Sequence, residues 1–246
     1  MPPNTADVFT GIYSVISTGE ITETRINESI RRILSAKSMV GLPQEAYPQQ
    51  WILDSTIHHP DHLTTARQVA EESLTLVGDR NNAIPIDTSD RVLCLVMTPT
   101  KTIFYSKSNT YFINVLRTHL STVSVRTVNT TITASERNQI ISDAVTKFDK
   151  VILASYDWCS VYSSNQQILV RNLCQVATPL IYVSFGSPYH LRQFQAVDTF
   201  LCGYCSQEDE QEFAADAICG SFSPTGKLPV NIYWTNVETQ FWQVFQ

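Results

Sequence analysis

The sequence predicts an α/β fold, a three-layer sandwich in which helices cover both faces of a mostly parallel sheet of about five to six strands. From residue 91 onward, short β-branched runs alternate with amphipathic stretches, which is typical of a parallel sheet covered by helices. These runs lack the apolar–polar alternation of a half-exposed antiparallel sheet. With 246 residues, 43% of them apolar, the chain can bury a sizeable core.

Short apolar runs bounded by turn-forming residues predict the strands, and the stretches between them predict helices with right-handed crossovers. The predicted strands are Leu74–Val77, Val92–Met97, Val123–Val128, Val151–Ser155, Leu180–Phe185 and Thr199–Gly203. The predicted helices between them are Tyr111–Leu120, Ala134–Phe148, Asn165–Val176 and Glu208–Cys219.

The first part of the chain is organised differently. Asn4–Ile16 and Ile26–Val40 have helical patterns, the second ended by Gly41, and His62–Glu72 is a further helix. The two N-terminal helices have no sheet of their own, so they resemble the end of another domain. The predicted organisation is a helical segment over 1–42, a proline-containing linker over 43–60, the sandwich over 61–232 and an aromatic tail over 233–246.

Charge and composition exclude several classes of partner. The chain has 23 acidic and 17 basic residues, a formal charge of −6, and no basic cluster that would favour nucleic acid. No uninterrupted apolar run is long enough to span a membrane, and the first residues lack the pattern of a secretory signal. Six cysteines are too few for a disulfide scaffold. We therefore expect a cytoplasmic, reducing location.

The carboxyl ends of the predicted strands form the candidate ligand site, because open parallel sheets bind ligands there. A neutral polar and aromatic rim would suit a sugar. The alternative is that the rim packs against another domain or faces water. The residues of this rim are Thr98, Tyr156, Asp157, Gly186, Ser187, Tyr204 and Ser206.

Paired acidic side chains that face each other are a common arrangement for acid–base and nucleophilic catalysis, and the sequence supplies no obvious pair. Asp157 follows a strand and is interpreted as an ordinary loop carboxylate, while Asp143 lies within a helical pattern. The acidic residues at 208–210 open a later helix, where carboxylates favourably face the helix dipole. No catalytic residue is assigned.

Two segments carry metal-binding residue types without the spacing of a closed site. His58, His59 and His62 surround Asp61, which is better placed to cap the following helix. Cys202 and Cys205 have redox spacing, but no second pair accompanies them. Neither a phosphate loop nor a serine-hydrolase elbow is present, so neither a metal nor a cofactor is expected.

The tail over 233–246 is rich in aromatic residues. It either packs back over the sheet or contacts another chain, for instance a second copy of this one, or a missing domain. Both interpretations stay open.

Four further motifs occur along roughly residues 1–232, namely Arg25–Leu34, Ala66–Val77, Gly186–Tyr189 and Gly220–Val230. Together they resemble glycoside hydrolase family 3. The first two resemble the junction between its two domains, and the last two resemble landmarks of its second domain. Ala154-Ser155-Tyr156, followed by Gln166-Gln167, is similar to the β-N-acetylglucosaminidase branch.

This resemblance implies that residues 61–232 are the family's C-terminal α/β sandwich and that residues 1–42 are the last helices of its TIM-like barrel. The family's nucleophile and acid–base residues lie in that barrel, and no position of this chain matches them. The chain is therefore expected to be inactive by itself, although the family hydrolyses O-glycosyl bonds. The alternative is a free-standing sugar-binding or protein-interaction module on the same fold, and a carbohydrate or a barrel domain is the expected partner.

Overall fold

The computed structural model describes residues 4–42, 49–98, 110–157 and 162–232. The chain divides into two compact units, Met1–Pro60 and Asp61–Gln246. The aromatic tail over 233–246 and residues 43–48 of the predicted linker lie outside the described residues.

The described residues of the first unit form three helices, α1 (Thr5–Ser17), α2 (Glu23–Met39) and α3 (Gln50–Thr56). Asn4 caps α1 by accepting a hydrogen bond from the Ala6 N–H, and Thr22 does the same for α2 from the Arg25 N–H. After α2, Gly41 adopts a left-handed backbone with φ of +78°, which ends the helix as predicted. The sequence pattern did not predict α3, which lies where a linker was expected.

The second unit contains a six-stranded sheet with the order β1-β6-β5-β4-β2-β3. Its strands are β1 (Thr75–Asp79), β2 (Val92–Met97), β3 (Val123–Val128), β4 (Lys150–Ser155), β5 (Leu180–Ser184) and β6 (Thr199–Cys202). Only β1 runs antiparallel, paired with β6, and the other described pairs are parallel. The predicted fold class is confirmed.

Among the described residues, six helices follow or precede the strands of this sheet along the chain. They are α4 (Pro60–Ser73), α5 (Thr110–His119), α6 (Ala134–Lys147), α7 (Ser164–Leu173), α8 (His190–Gln193) and α9 (Glu208–Ile218). The sequence pattern did not predict the single-turn helix α8. Among the described residues, no helix is both long and apolar enough to cross a bilayer.

Two apolar cores, one on each face of the sheet, explain why the strands read as continuous apolar runs. Along β2, Cys94 and Val96 join the core that includes α5 and α9, whereas Leu93 and Leu95 join the core that includes α6 and α7. Successive strand residues point to opposite faces, so a strand covered on both sides must be apolar at every position. All residues of β2, β5 and β6 are buried.

Candidate functional site

The predicted strand-end rim lies at the carboxyl end of the sheet, but most of it is buried. Tyr156, Asp157 and Ser206 are 4%, 3% and 2% exposed. Gly186 and Ser187 are also buried, and Tyr204 is half-buried. The described residues of the rim therefore form little open surface, and its role as a ligand site stays a prediction.

Tyr156 is held inside the protein by a hydrogen-bonded glutamine. Its ring stacks on Phe185 with centroids 4.9 Å apart, and its hydroxyl donates to Gln211 Oε1 at 3.2 Å. The same oxygen accepts the Phe112 N–H at 3.1 Å, while Gln211 Nε2 donates to the Ser206 carbonyl at 2.8 Å. Gln211 thus joins α9 to the ends of neighbouring elements, and Tyr156 has a structural partner here.

A second buried polar cluster centres on His190, which the sequence reasoning did not single out. The Tyr162 hydroxyl lies 2.8 Å from that of Tyr182, and the hydroxyls of Tyr182 and Ser184 each lie 3.2 Å from His190 Nδ1. Tyr162 also contacts the hydroxyl of Ser155 at the end of β4. The only sequence signal for this cluster was its position, since Ser155 and Ser184 are polar residues at the ends of apolar strands.

Burial controls the protonation of this cluster. Because His190 is fully buried, desolvation of the charged imidazolium lowers its pKa to about 3. Burial also raises the pKa of Tyr162 and that of Tyr182. A serine hydroxyl beside an imidazole can form a nucleophile–base pair, but these side chains have no access to solvent. The cluster therefore stabilises the core beneath the strand ends.

Gln166, from the motif that is similar to the β-N-acetylglucosaminidase branch, also has a structural role. Gln166 completes a capping box with Ser163 at the start of α7. Its Nε2 donates to the carbonyls of Thr98 at 2.9 Å and Val128 at 3.0 Å, which follow or end β2 and β3. Fully buried, Gln166 fixes α7 against the carboxyl ends of two strands.

Two of the carboxylates that the sequence brought into consideration, Asp143 and Asp209, form ion pairs in the structure. Asp143 lies in α6 and binds both Arg126 and Lys147, which lowers the pKa of its carboxyl to about 2. Asp209 in the first turn of α9 lies 2.8 Å from Arg67 of α4, and Glu212 lies 2.5 Å from the same guanidinium. These two carboxylates raise the pKa of Arg67. Asp143 is thus paired with two cations, whereas Asp209 and Glu212 share one.

The candidate metal-binding segments form no metal site in the described part of the chain, where no group of three or more His, Cys, Asp or Glu side chains could hold an ion. Burial raises the pKa of the Cys202 thiol to about 12, so this cysteine is a poor ligand and nucleophile. The helix after the histidines begins at Pro60, a residue suited to the first helical position. Asp61 lies within the first turn, so its predicted position before the helix is wrong.

Gly226 lies in Gly220–Val230, one of the segments on which the predicted resemblance depends, and the structure shows why a glycine is needed there. Its N–H donates to the Leu74 carbonyl at 3.0 Å, beside the start of β1. A Cβ at this position would lie 2.3 Å from the Ser73 carbonyl oxygen and 2.6 Å from Thr75 Oγ1. Only glycine permits such a close approach of two backbones.

Comparison with known proteins shows which proteins this chain is similar to. No family model matches the chain. A curated β-N-acetylglucosaminidase/β-glucosidase from Cellulomonas fimi is 25% identical over 241 residues, covering 91% of this chain and 42% of that protein. A lysosomal β-glucosidase from Dictyostelium discoideum is 34% identical over 79 residues, or 32% of this chain and 10% of that protein.

Solved structures agree with this result. A glycoside hydrolase family 3 β-N-acetylglucosaminidase from a Paenibacillus strain superposes with a TM-score of 0.65 at 19% identity, covering 91% of this chain and 42% of its own. A β-glucoside phosphorylase superposes with a TM-score of 0.61 at 22% identity, covering 94% of this chain and 42% of its own. A β-glucosidase from Listeria innocua gives a TM-score of 0.58 at 18% identity, covering 85% and 32%.

The fold is thus the α/β sandwich found in a class of proteins that includes β-glycosidases. The predicted resemblance is confirmed: this chain is similar to a C-terminal-like part of glycoside hydrolase family 3 proteins of the β-N-acetylglucosaminidase and β-glucosidase type. It spans about two-fifths of the length of the Cellulomonas relative.

Proposed function

We propose that this chain is the sandwich unit of a protein that hydrolyses β-linked N-acetylglucosaminides or glucosides, and that it does not supply the reacting groups itself. The similarity over 91% of the chain to two-fifths of a β-N-acetylglucosaminidase/β-glucosidase carries the proposal. The reacting acid and nucleophile would then come from residues outside those the structure describes.

The state of the described carboxylates supports the second half of this proposal. Hydrolysis of a glycosidic bond takes two carboxyl groups separated by roughly 5 to 9.5 Å across an open substrate site. Asp157 is buried at the end of β4, and the acidic pair on α9 binds Arg67. Because a buried carboxylate does not reach a substrate, we expect it to supply almost none of the acceleration, on the order of a millionfold or more, that enzymes provide.

An aryl-glycoside assay on the purified chain tests this proposal. Aryl β-N-acetylglucosaminide and aryl β-glucoside are incubated with the protein, with its Asp157→Ala variant and with a matched Asp149→Ala variant. Asp149 serves as the control because it is a surface carboxylate that binds Arg91. We expect no turnover above background from any of the three. Robust turnover that Asp157→Ala abolishes and Asp149→Ala preserves would show that this chain is an enzyme by itself.

A cytoplasmic, reducing compartment is part of the same proposal. The five cysteines among the described residues are all unpaired, which is typical of proteins kept in reducing conditions. Thiol titration of protein isolated without reductant checks this. Free thiols support a reducing location, and disulfide-linked protein contradicts it.

The expected partners remain proposals as well. Four apolar side chains of α1 are 39% to 70% exposed, namely Val8, Phe9, Ile12 and Tyr13. Such a surface suits an apolar partner such as a barrel domain. Co-expression with the barrel of a related enzyme tests it, because co-purification is expected only if this face binds the barrel.

A further inference from the structure

A cleft of about 590 Å³ lies between the end of β3 and the first half of α6. This volume is within the range of small-molecule sites. Ile132 and Ile140 line it with apolar surface, and Arg126 and Glu136 line it with charge. The cleft lies at an edge of the sheet, because β3 has a neighbouring strand on one side only. It includes none of the residues of the strand-end rim.

The charges of the cleft are already balanced. Arg126 binds Asp143, which is also held by Gln139 Nε2 at 3.0 Å. Glu136 accepts hydrogen bonds from the N–H and hydroxyl of Thr133, at 2.8 and 2.7 Å, and so closes the N-terminus of α6. The helix end is therefore covered by a carboxylate and does not attract an anion. A neutral ligand fits these charges best.

The remaining polar groups of the cleft offer donors and acceptors together. Within the described part of the chain, the side chains of Thr127, Asn129 and Thr131 line the cleft without a hydrogen-bond partner. Threonine hydroxyls and an asparagine amide each donate and accept. A ligand that carries many hydroxyl groups would use both capacities.

The backbone of the edge strand adds one more donor and one more acceptor. Thr98 donates its N–H to the Val128 carbonyl, and Val92 donates to the Thr122 carbonyl. Alternate residues of a strand direct their peptide groups to opposite edges. The N–H and C=O of Thr127 therefore face the free edge, beside the three unpartnered side chains.

We infer that this cleft binds a neutral saccharide. The geometry of the cleft supports a ligand that is polar and neutral. The choice of a sugar among neutral polyhydroxylated ligands rests on the proposed function. Because the described residues that line the cleft include no aromatic ring, they provide no stacking platform, and we expect weak binding.

Nuclear magnetic resonance titration of the full chain tests this inference, since it detects weak binding residue by residue. One arm uses N,N′-diacetylchitobiose and a second uses cellobiose, which separates N-acetylglucosamine from glucose recognition. We expect saturable shifts of backbone amides between residues 127 and 140 with at least one of the sugars. The absence of saturable shifts there with both sugars would overturn the inference.

Variants connect the shifts to the cleft. The double variant Asn129→Ala/Thr131→Ala removes exposed side chains and should weaken binding about tenfold or more, since each lost hydrogen bond contributes to affinity. Asn172→Ala, at an exposed position of α7, should bind as the parent does. If the double variant does not fold, Thr127→Ala replaces it, with at least threefold weaker binding expected. Unchanged affinity in a folded cleft variant would contradict the inference.

An extended peptide provides the competing occupant, because β3 is a free edge strand. Tighter binding of a short β-branched peptide than of either sugar at the same amides would replace the saccharide with a strand partner. The outcome is separate from the glycosidase assay. Turnover by this chain would refute the proposed function only, and absent shifts would refute the cleft only.

Discussion

The helices of residues 4–60 and those of residues 61–232 are similarly amphipathic. The helices of the first region are exposed, whereas those of the second region bury apolar side chains. Helices α1, α2 and α3 contain no buried residue, although Phe9 and Tyr13 are 63% and 70% exposed. In contrast, α5 buries Phe112, Ile113 and Leu116 against the sheet. The comparison shows that apolar spacing determines where a helix forms, while its burial depends on the surface available to cover it.

Replacing a large aromatic side chain by alanine should give the largest difference in lost stability between the two regions. Phe112 is fully buried and contacts Phe185 edge-on, with centroids 5.2 Å apart. Phe112→Ala should lower the free energy of unfolding by about 3 to 5 kcal/mol. Phe9→Ala should change it by less than about 0.5 kcal/mol, because the ring is exposed. Urea unfolding followed by circular dichroism measures both, and equal losses would remove the distinction.

The pH dependence of stability should come from the second region. The pKa of His190 is lowered to about 3 in the folded protein, against roughly 6.5 when unfolded. Below pH 6.5 the unfolded state binds a proton that the folded state refuses, so stability falls as the pH falls toward 3. Between pH 7.5 and pH 5 this loss is about 2 kcal/mol.

The neighbouring tyrosines stay neutral over this range, since burial raises the pKa of Tyr162 and that of Tyr182. His190→Gln should therefore remove most of the slope, whatever its effect at pH 7.5. His62→Gln, at an exposed position, should retain the slope. Urea unfolding at several pH values checks both variants. An unchanged slope in His190→Gln would contradict the assignment.

Alanine substitutions at two glycines should have smaller effects on stability, and the two effects should have opposite signs. Gly226→Ala places a Cβ 2.3 Å from a backbone oxygen and should destabilise the second region by about 2 kcal/mol or more. Gly11→Ala, in α1, meets no atom within 4 Å and should favour the helix by about 0.5 to 1 kcal/mol. Thermal unfolding and helical circular dichroism measure the two changes. A neutral Gly226→Ala would show that this contact can relax.

The fold was more accessible to sequence reasoning than the site. The continuous apolar runs from Val92 and Val151 predicted buried parallel strands, because only a doubly covered strand can be apolar throughout. The short helix α8 and the helix α3 escaped prediction, since one or two turns carry too little periodicity. The antiparallel direction of β1 depends on its pairing with β6, which local pattern does not encode.

The candidate site was also only partly predictable, because its burial is not encoded in the local sequence pattern. The sequence pattern indicated that these polar residues lie at the carboxyl ends of the strands, but not that Tyr156 and Asp157 would be buried there. Burial follows from partners distant in sequence, such as Gln211, which lies 55 residues from Tyr156. The cleft beside β3 gave no motif, because its lining combines a strand, a turn and a helix.

Amide hydrogen exchange on the whole chain tests the central contrast most directly. We expect the amides of β2, β4 and β5 to exchange near the rate of global unfolding. The amides of α1 and α2 should exchange faster by at least about tenfold, because helices of this length are marginal without a packed face. Exchange of α1 and α2 as slow as that of the sheet would contradict the account.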